Sequence, residues 1–287
     1  MMKTSILNFS FVGWILIYLV SCLAFNQKVI SQTKRVDLSI EDIVEQDMLD
    51  NSSFLRRIYN KTAGYNGETY TKPIKYYIHD KNEKINLKLQ PLTINSAYEI
   101  SDDVERFIVD IFNSIDDYID LDFERVFSPK KANIFIFKTD KFHDYANAYH
   151  EFEYIGDKKI LSKIIWHAAP SDLYKQKLKD YPTLFFDDAN LLLHEIAHSL
   201  GLYHLDHLCV QEWCEDNIDP LDKRFDIKDT IMSYNYDPEE RIFLSDLDIE
   251  ALQTIWGVEK DTTIGLILSV PENVFEKNAE YYFESAN

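Results

Sequence analysis

The spacing of hydrophobic residues predicts a long amphipathic helix in the first half of the chain. Its apolar positions recur mostly at intervals of three and four: Ile100, Val104, Phe107, Ile108, Ile111, Ile115 and Tyr118. Residues at this spacing lie on one face of a helix, so the stripe is expected to pack across a sheet. Ser96 and Glu99 fit a capping box at the N-terminus of this helix.

Short apolar runs predict strands around this helix. Ile74–His79 and Lys84–Leu89 precede it, and Lys163–His167 is expected to be the last strand before a second helix. Residues 134–137 read Ile-Phe-Ile-Phe, a continuous run typical of a central strand buried on both faces. The second helix is expected to start after the acidic pair at 187–188, because carboxylates suit the positive end of a helix dipole.

The N-terminal residues have the pattern of an export signal. Lys3 precedes a mostly apolar run at residues 6–20, which is short for a membrane-spanning helix and fits a signal-peptide core. Residues 19–22 read Leu-Val-Ser-Cys, which resembles the lipobox of bacterial lipoproteins, where the cysteine is lipidated. We expect residues 1–21 to be a signal peptide, and the exported protein to be either lipid-anchored to a membrane through Cys22 or secreted. The alternative is that Cys22 is an ordinary apolar residue of the signal or of an uncleaved anchor.

The length of the chain leaves room for one catalytic domain with short flanks. The chain has 287 residues, 46% of them hydrophobic, which supports a sizeable core. We expect a polar tether or short prosegment at 22–70, with one helix near Ser39–Leu49. The catalytic domain is expected at 71–258 and a C-terminal tail at 259–287.

The charge balance excludes one class of partner. A formal net charge of −19 argues against nucleic-acid binding, which relies on clustered Lys and Arg. Acidic residues at 116–122 and 215–229 could hold structural calcium, although neither stretch has the glycine-punctuated loop of an EF-hand and solvated faces are the alternative. Cys209 and Cys214 could form a disulfide in an exported protein or stay free thiols. We expect a monomer.

Three histidines and one acid carry the candidate chemistry. The sequence His-Glu-Ile-Ala-His-Ser-Leu-Gly-Leu-Tyr-His begins at His194. On a helix, His194 and His198 lie one turn apart on one face, so both rings can reach a single metal ion. Gly201 can end that helix with a left-handed backbone, which allows His204 to return as a third ligand. Glu195 is the general-base candidate, because it lies beside the open position of the metal without filling it.

This sequence resembles the signature of the metzincin clan of zinc endopeptidases, HExxHxxGxxH followed by a methionine-containing turn. Met232, in Asp-Thr-Ile-Met-Ser-Tyr, matches the methionine that packs beneath the zinc histidines in the clan. Tyr234 matches the tyrosine that stabilises the oxyanion in the astacin and serralysin branches. The clan spacing favours His204 over His207 as the third ligand. Residues 244–257 resemble the closing helix of matrixin and serralysin catalytic domains.

The resemblance implies an α+β, zincin-like metzincin fold: a twisted mixed sheet packed on a long helix, with an active-site helix, a Met-turn and a C-terminal helix. It implies that Lys163–Trp166 binds the substrate backbone as an edge strand; an ordinary edge strand is the alternative. The implied activity is that of an extracytoplasmic zinc endopeptidase, with Glu195 as general base and acid on a peptide or protein substrate. Two other classes stay open: a catalytically silent zinc-binding interaction module, and a zinc hydrolase of non-peptide amides.

Overall fold

A five-stranded sheet organises the part of the chain that the structure describes. The structure is a computed structural model, and it describes residues 38–44, 46–50, 53–88, 93–139, 148–156, 159–167, 177–204, 228–234 and 243–260. The described residues belong to one compact unit, Leu38–Asn287. The expectations for the signal peptide, Cys22, Cys209, Cys214, His207 and the tail beyond residue 260 lie outside the described ranges.

The sheet is parallel except at one edge. In chain order the strands are β1 (Ile74–Ile78), β2 (Glu83–Lys88), β3 (Thr93–Ala97), β4 (Phe123–Arg125), β5 (Ile134–Thr139), β6 (Ala148–Ile155) and β7 (Lys159–His167). The order in the main sheet is β4-β1-β5-β7-β6. Strand β1 pairs in parallel with β4 and β5, β5 pairs in parallel with β7, and β6 is antiparallel to β7. Strands β2 and β3 pair with each other in a separate antiparallel sheet.

Five α-helices accompany the strands in the described part of the chain. They are α1 (Gln46–Leu49), α2 (Phe54–Thr62), α3 (Asp102–Asp116), α4 (Phe186–Ser199) and α5 (Asp246–Trp256). None of these described helices combines the length and the apolar character needed to cross a membrane. Helix α5 confirms the closing helix expected from the sequence: Ser245 and Asp248 form its capping box, and Gly257 ends it.

The fold class expected from the sequence, an α+β zincin-like metzincin fold, is wrong. The described residues form a mixed α/β arrangement with a mostly parallel five-stranded sheet. Parallel strands need a crossover connection, and here α3 lies between β1 and its parallel neighbour β4 along the chain. The apolar runs indicate where strands are but not their direction, since side chains alternate with the same period in both orientations.

Helix α3 confirms the amphipathic stripe from Val104 to Ile115, whereas Tyr118, which was expected on the same face, lies beyond the end of the helix and is 39% exposed. Its buried residues are Val104, Phe107, Ile108, Ile111, Phe112 and Ile115. The helix packs on the sheet through Phe112, whose ring stacks on that of Tyr76 in β1 with centroids 4.1 Å apart. The expected capping box of Ser96 and Glu99 is wrong. Ser96 lies in β3, and Ser101 is the residue from which the helix starts.

The sheet order corrects the expected substrate strand. Strand β5 is central, as predicted, although only one of its faces is fully buried: Ile134 and Ile136 are inaccessible, whereas Phe135 is partly exposed. Strand β7 pairs with β5 on one side and with β6 on the other. The proposal that Lys163–Trp166 is an edge strand is therefore wrong, and β6 occupies the edge.

The segment expected to be a tether or prosegment joins the core from residue 43 onwards. Ile43, Met48, Ile58 and Tyr59 are each at most 2% exposed and belong to the same hydrophobic cluster as the sheet and α4. The catalytic domain was expected to begin at residue 71, but its hydrophobic core already includes residues from Ile43 onwards. The single helix expected near Ser39–Leu49 is a 3-10 turn followed by the short helix α1.

Candidate metal centre

Helix α4 carries the first two histidines of the site. It begins at Phe186 and has two acidic residues in its first turn, whereas the sequence predicted a start after that acidic pair. His194 and His198 lie one turn apart and are 6% and 8% exposed. His194 donates through Nδ1 to the carbonyl of Ile231, and His198 donates through Nδ1 to the carbonyl of Leu202, both at 2.7 Å. These bonds fix both rings.

Gly201 reverses the chain directly after α4. Its φ of +99° is a conformation that residues with a Cβ rarely adopt, which confirms the role predicted for this glycine. Its N–H donates to the carbonyl of His198 at 3.0 Å, and the N–H of Leu202 donates to the carbonyl of Ala197 at 3.1 Å. These bonds satisfy the last carbonyls of the helix and turn the chain back toward it.

The reversal brings His204 to the other two histidines. Its Nε2 atom lies 2.9 Å from the Nε2 atom of His194 and 2.9 Å from that of His198. Among the residues with described positions, this is the one group of His, Cys, Asp or Glu side chains whose ligand atoms converge closely enough for a metal ion. The structure thus brings together the three ligands predicted from the sequence.

The N-terminal segment braces the turn that carries His204. The hydroxyl of Tyr59 in α2 donates to the carbonyl of Ser199 at the end of α4. Met48 in α1 packs directly against Gly201, where an added Cβ would lie 2.7 Å from the Met48 Cε atom. Residues that the sequence placed outside the catalytic domain therefore help to position the third histidine.

The donor set fits a zinc ion. A carbonyl oxygen only accepts hydrogen bonds, so the Nδ1 atoms of His194 and His198 carry the ring protons and their Nε2 atoms present lone pairs. Lone pairs that face a third ring nitrogen at 2.9 Å repel unless a cation or a proton lies between them. Tetrahedral Zn–N bonds of about 2.0–2.1 Å would place the nitrogens about 3.4 Å apart, a shift of only about 0.5 Å. Three nitrogen ligands leave the fourth position open, as in catalytic zinc sites.

Burial keeps these histidines in the form that binds metal. Desolvation lowers the pKa of His194 to about 4, although the hydrogen bond to Ile231 opposes the shift. Desolvation and the neighbouring histidines lower the pKa of His198 well below its ordinary value. Neutral imidazole is the metal-binding form, so at neutral pH neither ring must lose a proton to bind a cation.

Glu195 presents a carboxyl group inside the same buried region. It is 6% exposed, and burial raises its pKa to about 8. A bound cation nearby would favour the carboxylate and lower that pKa. A carboxyl group whose pKa lies near neutrality can both accept and return a proton, which is what a general base and acid requires.

The turn that contains Met232 holds the first histidine through a backbone carbonyl. Met232 is inaccessible to solvent, and the preceding residue, Ile231, accepts the hydrogen bond from His194. Asp248 in α5 holds this turn, because its carboxylate accepts bonds from the Thr230 hydroxyl at 2.6 Å and from the Ile231 N–H at 3.0 Å. The same carboxylate also caps the start of α5.

Tyr234 lies where its hydroxyl can reach the open side of the site. Its Oη atom lies 2.7 Å from Nε2 and 3.1 Å from Nδ1 of His204, and the residue is 43% exposed. The phenol therefore borders both the metal position and solvent. This location is consistent with the role predicted for Tyr234.

A fourth histidine, His150, also borders the site, and its spacing along the chain did not predict this position. It lies on the edge strand β6, and its ring stacks on that of His198 with centroids 5.9 Å apart. Its Nε2 atom hydrogen-bonds to the Ser162 hydroxyl at 2.9 Å, and desolvation is the main cause that lowers its pKa to about 3. His150 therefore places the edge of the sheet directly beside the metal ligands.

Two further histidines and the acidic residues considered for calcium have surroundings unrelated to the metal centre. His79 packs against Phe137, and His167 hydrogen-bonds to the carbonyl of Thr139. Of the acidic residues considered for calcium, Asp116 accepts a backbone N–H and Asp120 accepts the hydroxyl of Thr69. Both acids make hydrogen bonds within the fold, and the calcium prediction gains no support from the described residues.

The substitution Gly201→Ala tests the turn. We expect it to lower the free energy of unfolding by about 1–2 kcal/mol through backbone strain alone, and further through the clash with Met48. Because the turn carries His204, zinc affinity should also fall. Gly67→Ala is the matched control, since Gly67 has a φ of +105° with nothing within 4 Å of an added Cβ. Chemical denaturation and a competitive zinc titration measure both effects, and equal zinc affinities in the two variants would contradict the assignment.

The pH dependence of stability tests the burial of Glu195 in metal-free protein. Its folded-state pKa of about 8 lies above the ordinary 4.5, so its contribution to stability is complete below about pH 4.5 and is lost as the pH rises through 8. Glu195→Gln removes this loss. We therefore expect the variant to exceed the wild type in unfolding temperature by a larger margin at about pH 8 than at about pH 5. A margin that does not change with pH would contradict the assigned pKa.

Comparisons with known proteins assign no family. No family model and no curated protein matches the chain. A solved structure titled "GM1 bound form of the ECX AB5 holotoxin" is similar over 67% of this chain and 83% of that chain, with 16% sequence identity and a TM-score of 0.36. A likeness with so low a TM-score supports no argument about function. The resemblance to the metzincin clan stays a prediction that rests on the sequence motif.

Proposed function

We propose that this protein is a zinc-dependent endopeptidase. The observation that carries the proposal is the convergence of three histidine Nε2 atoms beside a buried carboxyl group, Glu195. Three nitrogen ligands with a fourth position open are typical of catalytic zinc, whereas structural zinc is closed by four protein ligands. The proposal keeps the general base and the ligands that the motif predicts.

Each side chain of the site has a separate role in the proposed reaction. Zinc, when bound by His194, His198 and His204, supplies a Lewis acid that polarises the scissile carbonyl and makes water more acidic. Glu195 takes the proton of the attacking water and passes it to the leaving amine. Tyr234 donates a hydrogen bond to the oxygen that becomes negatively charged. The carbonyls of Ile231 and Leu202 hold the rings in one tautomer throughout.

The position of β6 at the edge of the sheet favours a peptide as the substrate. In the main sheet its outer edge has no partner among the described strands, and His150 places this strand against His198. An extended peptide can add to a free strand edge through backbone hydrogen bonds, which do not depend on its side chains. We therefore assign substrate binding to β6 and not to β7. Binding along a strand admits the middle of a chain, as an endopeptidase needs.

Export is part of the proposal and rests on the N-terminal sequence pattern alone. A signal peptide with Cys22 as a lipid anchor would hold the enzyme at the cell envelope, and ordinary cleavage would release it. Mass spectrometry of the mature N-terminus distinguishes a lipidated Cys22 from an unmodified one.

Variants of the metal site test the proposal against a silent zinc-binding module. Glu195→Ala should retain zinc and lose turnover by a factor of about 10²–10⁴, because it removes the general base but no ligand. His198→Ala should lose the metal as well. Full-length wild type and Glu195→Ala, each loaded with zinc, are incubated with a proteome-derived peptide library, and new termini are identified by mass spectrometry.

The library gives different results for each class of function. Cuts that a chelator abolishes and that Glu195→Ala does not make are expected for an endopeptidase. Zinc binding without any cut would support the silent module, and hydrolysis of small amides without cuts in polypeptides would support a non-peptide hydrolase. Either result would overturn the proposed function.

The substitution Tyr234→Phe tests the hydroxyl next to His204. It keeps the ring and removes the hydrogen-bond donor, so zinc binding should be unchanged and kcat should fall by about 10-fold to 10³-fold. Tyr118→Phe on the exposed surface is a control for the same chemical change. If kcat of the Tyr234 variant equals that of the wild type, Tyr234 has no part in the reaction.

A further inference from the structure

Strand β6 carries a row of aromatic side chains that leads away from the metal centre. His150, Phe152 and Tyr154 alternate along the strand, so their side chains lie on one face of the sheet. The ring of His150 stacks on that of His198, and its centroid lies 4.3 Å from that of Phe152. Tyr154 contacts Phe54 at the start of α2, with ring centroids 5.4 Å apart. The row therefore begins at a metal ligand and ends at α2.

The far end of this row is open to solvent. Phe152 is partly buried, and its ring packs edge-on against that of Tyr59 with centroids 6.0 Å apart. Phe54 and Tyr154, by contrast, are each 45% exposed although their rings contact each other. We call these two side chains the aromatic pair. Aromatic rings gain free energy from buried area and from edge-on or offset contacts with a further ring. The aromatic pair thus offers a position for a large apolar side chain.

The backbone of β6 is suited to the addition of another strand. It pairs with β7 in one unbroken register over its eight residues, and it contains no proline. Bulges and prolines are two devices that keep exposed edge strands from pairing with other chains, and β6 has neither. Its acidic residues, Glu151 and Glu153, alternate onto the opposite face, where Glu153 pairs with Lys163 at 2.7 Å. The face that carries the aromatic pair is therefore free of these charges.

We propose that the aromatic pair is a remote specificity subsite, which binds a large apolar side chain of the substrate on the N-terminal side of the scissile bond. This inference rests on the proposed function, because it requires a peptide that lies along β6 at the metal centre. Antiparallel pairing is slightly more stable per residue than parallel pairing, so the peptide runs opposite to β6. Peptide residues next to Tyr154 then precede those next to His150.

The geometry of the strand sets the distance from this subsite to the metal. The ring centroids of His150 and His198 are 5.9 Å apart, which is about two residues of an extended chain. The peptide residue opposite His150 therefore lies within about three residues of the scissile bond. Tyr154 is about four residues, or about 13 Å, further along β6. The subsite thus reads a side chain about five to seven residues before the scissile bond.

Peptide hydroxamates test the inference without the need for turnover. A hydroxamate at the C-terminus of a serine-based octapeptide binds the zinc ion, and the peptide extends from it in the N-terminal direction. A single phenylalanine replaces each residue in turn. Binding to the zinc-loaded full chain is measured by calorimetry for wild type, Tyr154→Thr and Phe54→Ser. Phe127→Ser is the matched control, because Phe127 is 75% exposed and follows β4 at the other edge of the sheet.

In wild type, phenylalanine at one position about five to seven residues before the hydroxamate should tighten binding about tenfold relative to the parent peptide. Tyr154→Thr and Phe54→Ser should each reduce this gain to about twofold or less, because each removes one ring of the aromatic pair. Phe127→Ser should keep the gain of the wild type.

Three results overturn the inference alone. The first is that wild type shows no gain at these positions, and the second is that the gain is the same in Tyr154→Thr and Phe54→Ser. The third is a dimer of the wild type, seen by sedimentation, that Tyr154→Thr dissociates, since the aromatic pair would then join two copies of the chain. If the protein binds zinc but none of the hydroxamates, the metal has no open position. The proposed function then fails together with the inference.

Discussion

The backbone carbonyls of Ile231 and Leu202 hold the protonated Nδ1 atoms of His194 and His198, and the rest of the site is arranged around this constraint. Each carbonyl accepts the single N–H of its neutral imidazole ring, which leaves a lone pair on the Nε2 atom of that ring. The two Nε2 lone pairs face one common centre. His204 completes that centre from outside the helix. Burial reinforces the arrangement, because it lowers the pKa values of His194 and His198 and leaves the rings neutral.

Three distant parts of the chain keep the two carbonyls and the histidine rings in place. Asp248 holds the turn that contains Ile231, and so connects α5 to the first histidine. The turn at Gly201 contains Leu202 and is braced by α1 and α2, through Met48 and Tyr59. The edge strand β6 closes the site on the side of His198. The site is therefore assembled from elements that start at residue 43 and end in α5, and its geometry depends on the packing of the whole core.

The local features of the site could be predicted because they depend on residues that are only three or four positions apart in the sequence. A one-turn separation on a helix fixes His194 and His198, and Ser245 with Asp248 fixes the start of α5. The fold class could not be predicted, since strand order follows from pairs such as Ile134 with Ser162, which are far apart in sequence. For the same reason β7 was expected at the edge and His150 was not expected near the metal. The second role of Asp248 was also out of reach, because a cap at the start of a helix looks the same whether or not it also holds a distant turn.

Metal coordination is the most direct test of an open zinc site built from three histidines. X-ray absorption spectroscopy at the zinc edge of the zinc-loaded full chain counts the ligands and identifies their elements. We expect three imidazole nitrogens at about 2.0–2.1 Å and one further oxygen from water, which marks an open catalytic position. A sulfur ligand at about 2.3 Å, or a fourth imidazole, would mean a closed structural site and would contradict a catalytic role for the metal.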